Sequence, residues 1–390
     1  MIRTDGPERP FKGMNNNYSD MKKNISVFRI IPVLAVLILM ACEKTGPADP
    51  SATRETVNLF QNLKEQQKEG LMFGHQDDLV YGVGWVYEEG RSDVKEVCGD
   101  YPAVMGWELG HLELGAPYSL DSVHFDKIRS LIRTVYQQGG VNTLSWHLRN
   151  PLTGGSAWDV TSTVVVRAVL PGGEKHGLYL EYLGRLADFM LSLKSDDGTF
   201  IPVIFRPYHE HTGSWFWWGK NLCTVEEYKA LWRMTVEYLR DTRNIHHLLY
   251  AYSTDRFTTQ EEYLERYPGD DLIDMLAFDL YDRGPDFPET LKNCAQIVSR
   301  LAAEKGKFAA VSESGGPIAT QTDWWTARLL EPLRSIPLSY VLVWRNPWQG
   351  GSHAPFGPHP GNPSAPDFVK FYDDPHTLFL QEVSPGNLYR

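Results

Sequence analysis

The stretch Ile201-Pro-Val-Ile-Phe205 runs directly into Arg206-Pro-Tyr-His-Glu-His-Thr-Gly-Ser-Trp-Phe-Trp-Trp-Gly219, and the way these two pieces join decides the fold. The first is apolar and β-branched, as a buried strand is. The second opens with charged and aromatic side chains, then turns at glycines. Glu210 therefore falls just past a strand, where a parallel barrel displays its working residues. The same design recurs at Phe308-Ala-Ala-Val-Ser-Glu-Ser-Gly-Gly316, an apolar run closing on Glu313 before two glycines that permit a sharp turn.

Outward from these two runs, further apolar segments lie at 71–74, 103–107, 141–146, 247–252, 273–278 and 340–344, which makes eight in all. Their near-continuous hydrophobicity is that of strands covered on both faces. Helical patterns fill the intervals. The clearest starts at the capping box Thr224-Val-Glu-Glu227 and continues through Tyr228, Leu231, Trp232, Thr235, Tyr238 and Leu239. Eight strand–helix alternations predict a (β/α)8 barrel, with a doubly wound open sheet as the alternative. The barrel has an internal test, because its chemistry gathers at the C-terminal ends of the strands. His75, Glu108, His147, Glu210, Asp255, Asp279, Glu313 and Arg345 follow the eight runs in order.

Composition agrees with one large globular domain. The chain has 390 residues, 42% of them hydrophobic and 12% aromatic, with a net charge of −11. An acidic surface disfavours nucleic acid as a partner. The first 41 residues read as a signal peptide, with Lys22, Lys23 and Arg29 ahead of the apolar run 30–40. That run is too short for a permanent bilayer span. Leu39-Met40-Ala41-Cys42 resembles a bacterial lipobox, which implies lipidation of Cys42 and a membrane anchor in the cell envelope. Met21 is the more natural start for such a segment. Residues 42–52, with two prolines and a glycine within 43–51, are expected to be a flexible tether, and 53–390 the folded domain. Cys98, Cys223 and Cys294 then remain, enough for one disulfide at most.

The paired carboxyls, each at the end of a strand, are the groups that acid/base chemistry on a glycosidic bond requires. A single glutamate in such a place is ordinarily solvated or salt-bridged, so the pairing within two similar motifs carries the argument. Residues 54–380 resemble glycoside hydrolase family 26, the bacterial β-mannanase family. In that clan the acid/base follows strand four and the nucleophile ends strand seven. The resemblance therefore implies that Glu210 is the acid/base and Glu313 the nucleophile of a retaining reaction. Most of the clan has asparagine before the acid, whereas family 26 has histidine, and His209 matches. Trp215, the pair Asp279 and Tyr281 after strand six, and Trp344 at the end of strand eight match as well.

By the same resemblance His147 and Trp158 touch sugar near the cleavage point, and Trp215 stacks on it. His209, Asp279, Tyr281 and Trp344 complete the expected substrate-binding set, and Arg206 is expected to orient the carboxyls. The bland readings stay open: Trp215, Trp217 and Trp218 as core, His147 and Trp158 as loop packing, and Arg206 with Asp279 as an internal ion pair. No cofactor is expected. The histidines show no HExxH pairing and the glycines no nucleotide-loop spacing. The implied partner is β-mannan polysaccharide, hydrolysed internally or as mannobiose from chain ends, by a monomer. A non-catalytic glycan-binding lipoprotein is the reading from another class.

Overall fold

The computed structural model describes residues 46–349 and 355–390. Eight strands form the barrel: β1 Leu71–Gln76, β2 Val104–Glu108, β3 Val141–Trp146, β4 Val203–Pro207, β5 Leu248–Thr254, β6 Met275–Tyr281, β7 Phe308–Gly315 and β8 Tyr340–Val343. Each is parallel to its neighbours. β8 returns to pair with β1, from Met72 against Tyr340 to His75 against Val343, which closes the sheet and excludes the open doubly wound alternative. The eight expected runs are all strands, and all but 141–146 shift at one end or both. β4 begins at Val203, after Pro202 with its missing N–H, and carries on through Arg206 to Pro207.

The largest shift is in β7. The apolar run stops at Val311, yet the strand continues to Gly315, so Glu313 lies inside it. Val311 pairs with Phe278 of β6, while Glu313 pairs with Asp279, the very next residue. The other neighbour shows the same slip, with Val341 opposite Val311 and Val343 opposite Ser314. β7 thus carries one extra residue against both partners. Such a bulge re-aims the side chains that follow it.

Helices cover the outside of the barrel, among them Phe125–Gln137, His176–Leu191, Val225–Glu237 and Phe287–Glu304. The capping box read from Thr224 and Glu227 is present, each side chain bonding the other's backbone N–H. A short strand, Thr377–Leu378, adds to the other side of β1 and brings Phe379 against Phe73, beside Phe368 and Phe371. Among the described residues no helix is long and apolar enough to cross a membrane. Cys98, Cys223 and Cys294 are all free thiols, so the one disulfide that the count allowed is not formed.

The flexible tether expected over 42–52 is corrected in its second half. Ala48 and Asp49 are buried, and the Ala48 N–H donates to Asp274 Oδ1 at 2.6 Å. Asp274 is itself fully buried just ahead of β6 and also accepts the Tyr250 N–H, so it needs these donors. Asp49 in turn pairs with His246 at 2.8 Å. The folded domain is thus under way by Ala48, ahead of Thr53. The signal peptide expected over residues 1–41, Cys42 and the start of the expected tether lie outside the described residues.

Candidate active site

β4 delivers three working side chains in five residues. Arg206 points into the barrel. His209 and Glu210 follow Pro207, where the strand ends and the backbone turns. Tyr208 and Glu210 both adopt left-handed backbone, at φ 49° and 50°. Such conformations cost on the order of 1–3 kcal/mol each away from glycine and collect at functional sites. Packing holds the first in place: Tyr208 is buried, its hydroxyl bonds to Tyr179 and Thr235, and its carbonyl accepts from Tyr228. The Glu210 N–H is tied to the Ser253 carbonyl of β5 at 3.1 Å.

Opposite stands Glu313. Arg206 donates to its Oε2 at 2.6 Å and Tyr281 donates to its Oε1 at 2.5 Å. The second arm of Arg206 donates to Asp279 Oδ2, also at 2.6 Å. The bulge in β7 lets Ser312 and Glu313, adjacent in sequence, both serve the barrel interior. Ser312 donates to Asp279 Oδ1 at 2.7 Å, while Glu313 reaches the guanidinium. In an unbulged strand consecutive side chains would point to opposite faces.

Asp279 corrects one expectation. It was placed among the groups that bind substrate, but it is fully buried, and all its bonds go to Arg206, Ser253 and Ser312. It lies beneath the site as a counter-charge for Arg206, so the internal ion pair is the right account. Arg206, expected to orient the carboxyls, bonds Glu313 and Asp279 at once. Its guanidinium is held charged by Asp279 and Glu313, although burial opposes this.

The two glutamates differ in electrostatics. Burial raises Glu210 well above the ordinary carboxyl range, and the charges of Glu313, Asp279 and Asp255 raise it further. One N–H opposes them, from Trp215 Nε1 to Glu210 Oε2 at 2.6 Å. Tyr281 is likewise driven well above a phenol's usual range by burial and by Glu313, so it remains a neutral donor.

The aromatic loop divides as expected. Trp217 and Trp218 are fully buried and donate to the carbonyls of Leu148 and His209, which makes them structural. Trp215 is 40% exposed and Trp158 46% exposed, both unusual for tryptophan. His147 stacks on Trp158 at 5.1 Å and meets Trp344 edge-on at 5.9 Å. His209 joins the group through its Nε2, 3.0 Å from Nε2 of His147. Of the expected set, then, Glu210, Glu313, His147, Trp158, His209, Trp215, Tyr281 and Trp344 line one connected site at the C-terminal face.

Sequence reasoning left out Glu108 and Asp121. Glu108 is fully buried at the end of β2 and binds His147 Nδ1 at 2.8 Å, as well as the His147 and Gly110 N–H groups. Although burial opposes it, His147 holds Glu108 below its usual range; Glu108 in turn raises His147 against the effect of burial. Its place after β2 was the only signal. Asp121 sits in a loop and pairs with Arg345, beyond β8, at 2.9 Å, a contact that nothing local announces. His75 is buried and bonded to Asp78. One ligand atom each from His209, Asp279 and Glu313 fall within 4.8 Å of one another, but Arg206 already bonds both carboxylates.

Comparison with known proteins places this geometry. The model of glycosyl hydrolase family 26 matches residues 48–326. A β-mannanase of that family from Bacteroides ovatus is 49% identical in its solved structure, with a TM-score of 0.84 over 87% of this chain and 98% of that one. A modular endo-β-1,4-mannanase from Cellulomonas fimi is 35% identical, with a TM-score of 0.80 over 88% of this chain and 79% of that one. A mannan endo-1,4-β-mannosidase from Bifidobacterium adolescentis is 33% identical over 86% of this chain. The chain spans 35% of that relative's length. Its matched extent and its relatives agree: the chain belongs to glycosyl hydrolase family 26.

Proposed function

We propose that the protein is a retaining endo-β-1,4-mannanase that cuts mannan, glucomannan or galactomannan by double displacement. Support comes first from the contrast between the two glutamates. Glu210 is kept protonated by burial and by the neighbouring carboxylates, while Glu313 accepts bonds from a guanidinium and a phenol. That is the division of labour a retaining glycosidase needs. Glu313 attacks the anomeric carbon as Glu210 gives its proton to the departing glycosidic oxygen, forming an ester between sugar and Glu313. Glu210, now ionised, takes a proton from water, whose oxygen attacks the same carbon and releases Glu313. Trp158 and Trp215 offer exposed faces to sugar rings, with His147, His209, Tyr281 and Trp344 completing the lining. The names of the relatives from B. adolescentis and C. fimi supply the substrate class.

The test is a time course on linear mannan by wild type and Glu313→Ala, with product lengths and the anomer first formed resolved by NMR. Mixed oligosaccharides of β configuration at early times, absent from the variant, are expected. Mannobiose alone from the outset would make the enzyme exo-acting, and α-anomers would overturn double displacement. Binding of mannan without products by either protein would leave a glycan-binding protein. Lipidation of Cys42, which would anchor a monomeric domain in the cell envelope, belongs to the same reading and rests on Leu39-Met40-Ala41-Cys42. Mass spectrometry of the mature N-terminus checks it.

A further inference from the structure

The phenol of Tyr281 donates to Glu313 Oε1, and its ring meets that of Phe356. The support comes from the far end of the loop after β8. Phe356 meets the Tyr281 ring edge to face, with centroids 5.2 Å apart and planes at 66°. The Phe356 ring also packs against Gly315, the residue of β7 directly paired with Tyr281. A Cβ built on Gly315 would stand 2.2 Å from Cδ1 and 2.7 Å from Cγ of that ring. Gly315 has ordinary backbone angles, so a glycine is not required there by conformation. It is required by the ring that fills its side-chain space.

The loop is pinned on the other side of Phe356 as well. The N–H of Gly357 donates to Asn346 Oδ1 at 2.8 Å, and Asn346 donates to Asp93 at the same distance. Any side chain on Gly357 would run into His75, 2.1 Å from its Nε2. Phe356 is thus held between a fixed backbone and a glycine socket, with its edge toward the tyrosine that serves the nucleophile.

We propose that Phe356 is a positioning residue for the hydrolytic reaction: seated in the Gly315 socket, it holds the Tyr281 hydroxyl on Glu313 Oε1. The inference rests on reading Glu313 as the nucleophile. Because the loop after β8 supplies the ring, its placement governs the reactivity of Glu313 as well as the shape of the cleft.

The test is a double-mutant cycle on mannopentaose hydrolysis, with kcat and KM determined separately. Tyr281→Phe removes one donor to the reacting carboxylate, a loss worth about 10²-fold in kcat at comparable sites. Phe356→Ala is expected to lower kcat by roughly tenfold with KM little changed, since an unheld phenol keeps the bond only part of the time. Gly315→Ala, which evicts the ring without deleting it, is expected to do the same, and Phe356→Tyr to retain activity. Phe356→Ala placed on Tyr281→Phe should cost nothing further, because both act through one hydrogen bond. Arg206, Asp279, Glu210, Asp255, Asp121 and His147, the charged and titratable groups that act on Glu313, are untouched by these changes. Additive losses in the double variant, or a rise in KM with kcat unchanged, would overturn the proposal and leave Phe356 a wall of the cleft. Thermal unfolding of each variant separates loss of fold from loss of rate. Activity surviving in Glu313→Ala would instead overturn the nucleophile assignment on which the proposal stands.

Discussion

Glu210 and Glu313 begin as identical side chains on strands of one barrel and end in opposite surroundings. Glu210 stands beyond its strand on left-handed backbone, touched by a single N–H from a half-exposed tryptophan. Glu313 sits within its strand, just past a bulge, gripped by a guanidinium and a phenol. What separates them is the supply of donors. Burial and a crowd of negative charge hold the Glu210 carboxyl well above its ordinary range against a single donor, whereas Glu313 is met by two strong donors. The local backbone serves that difference: a turn leaves Glu210 short of partners, and a bulge drives Glu313 into contact with them.

The harshest way to break the contrast is to neutralise each residue in turn. Glu313→Gln should reduce kcat on mannan by on the order of 10⁴-fold or more, as loss of a nucleophile does elsewhere. Glu210→Gln should lose about 10²–10⁴-fold on mannan. On an aryl mannobioside whose leaving group needs no proton, pre-steady-state release of the phenol should survive in Glu210→Gln alone. Equal loss in both variants would erase the distinction.

A second way is to take away the shared donor. Arg206→Met leaves Asp279 and Glu313 buried without their counter-ion, and breaking a buried pair in this manner costs about 3–5 kcal/mol. Urea unfolding should report that loss together with inactivity.

The contrast can be sharpened by pH. Because Glu210 is raised in the folded state, the native protein holds a proton that the unfolded chain has released. Stability is therefore expected to fall as pH rises from the ordinary glutamate range up to the titration of Glu210 itself. In Glu210→Gln the melting temperature should decline less across that window. The smallest effect belongs to Trp215→Phe, which deletes the one hydrogen bond lowering Glu210. The alkaline limb of its kcat/KM profile should move up in pH; movement downward would mean that the indole N–H does not act on the acid.

Most of the barrel was legible because eight buried strands must be apolar along their length, and runs such as 141–146 carry that directly. The two glutamates were legible because each closes such a run. Register was not. Nothing in Val311-Ser-Glu-Ser announces a bulge, so the strand was ended early and Glu313 placed beyond it. Asp279 was misread for a related reason: a strand-end carboxyl looks the same whether it faces sugar or an arginine, and only the partner, 73 residues away, decides. Glu108 was visible at the end of its strand, but its part in the site was not, because its chemistry is expressed through His147, across a strand boundary. The docking of Ala48 on Asp274 was invisible because a backbone N–H supplies the bond, and that group belongs to every residue but proline.

Arg206 carries one more implication. It lies on the strand that leads to Glu210 and grips Glu313 on β7, across the barrel mouth and 107 residues along the chain. Neither half of the barrel alone contains both ends of that grip. A sample recovering from denaturant could regain its helices, bury its tryptophans and still be inert, since unbridged carboxylates would repel one another until the eighth strand met the first. Turnover would then serve as a clock for ring closure, reading a later event than spectroscopic signals of compaction do.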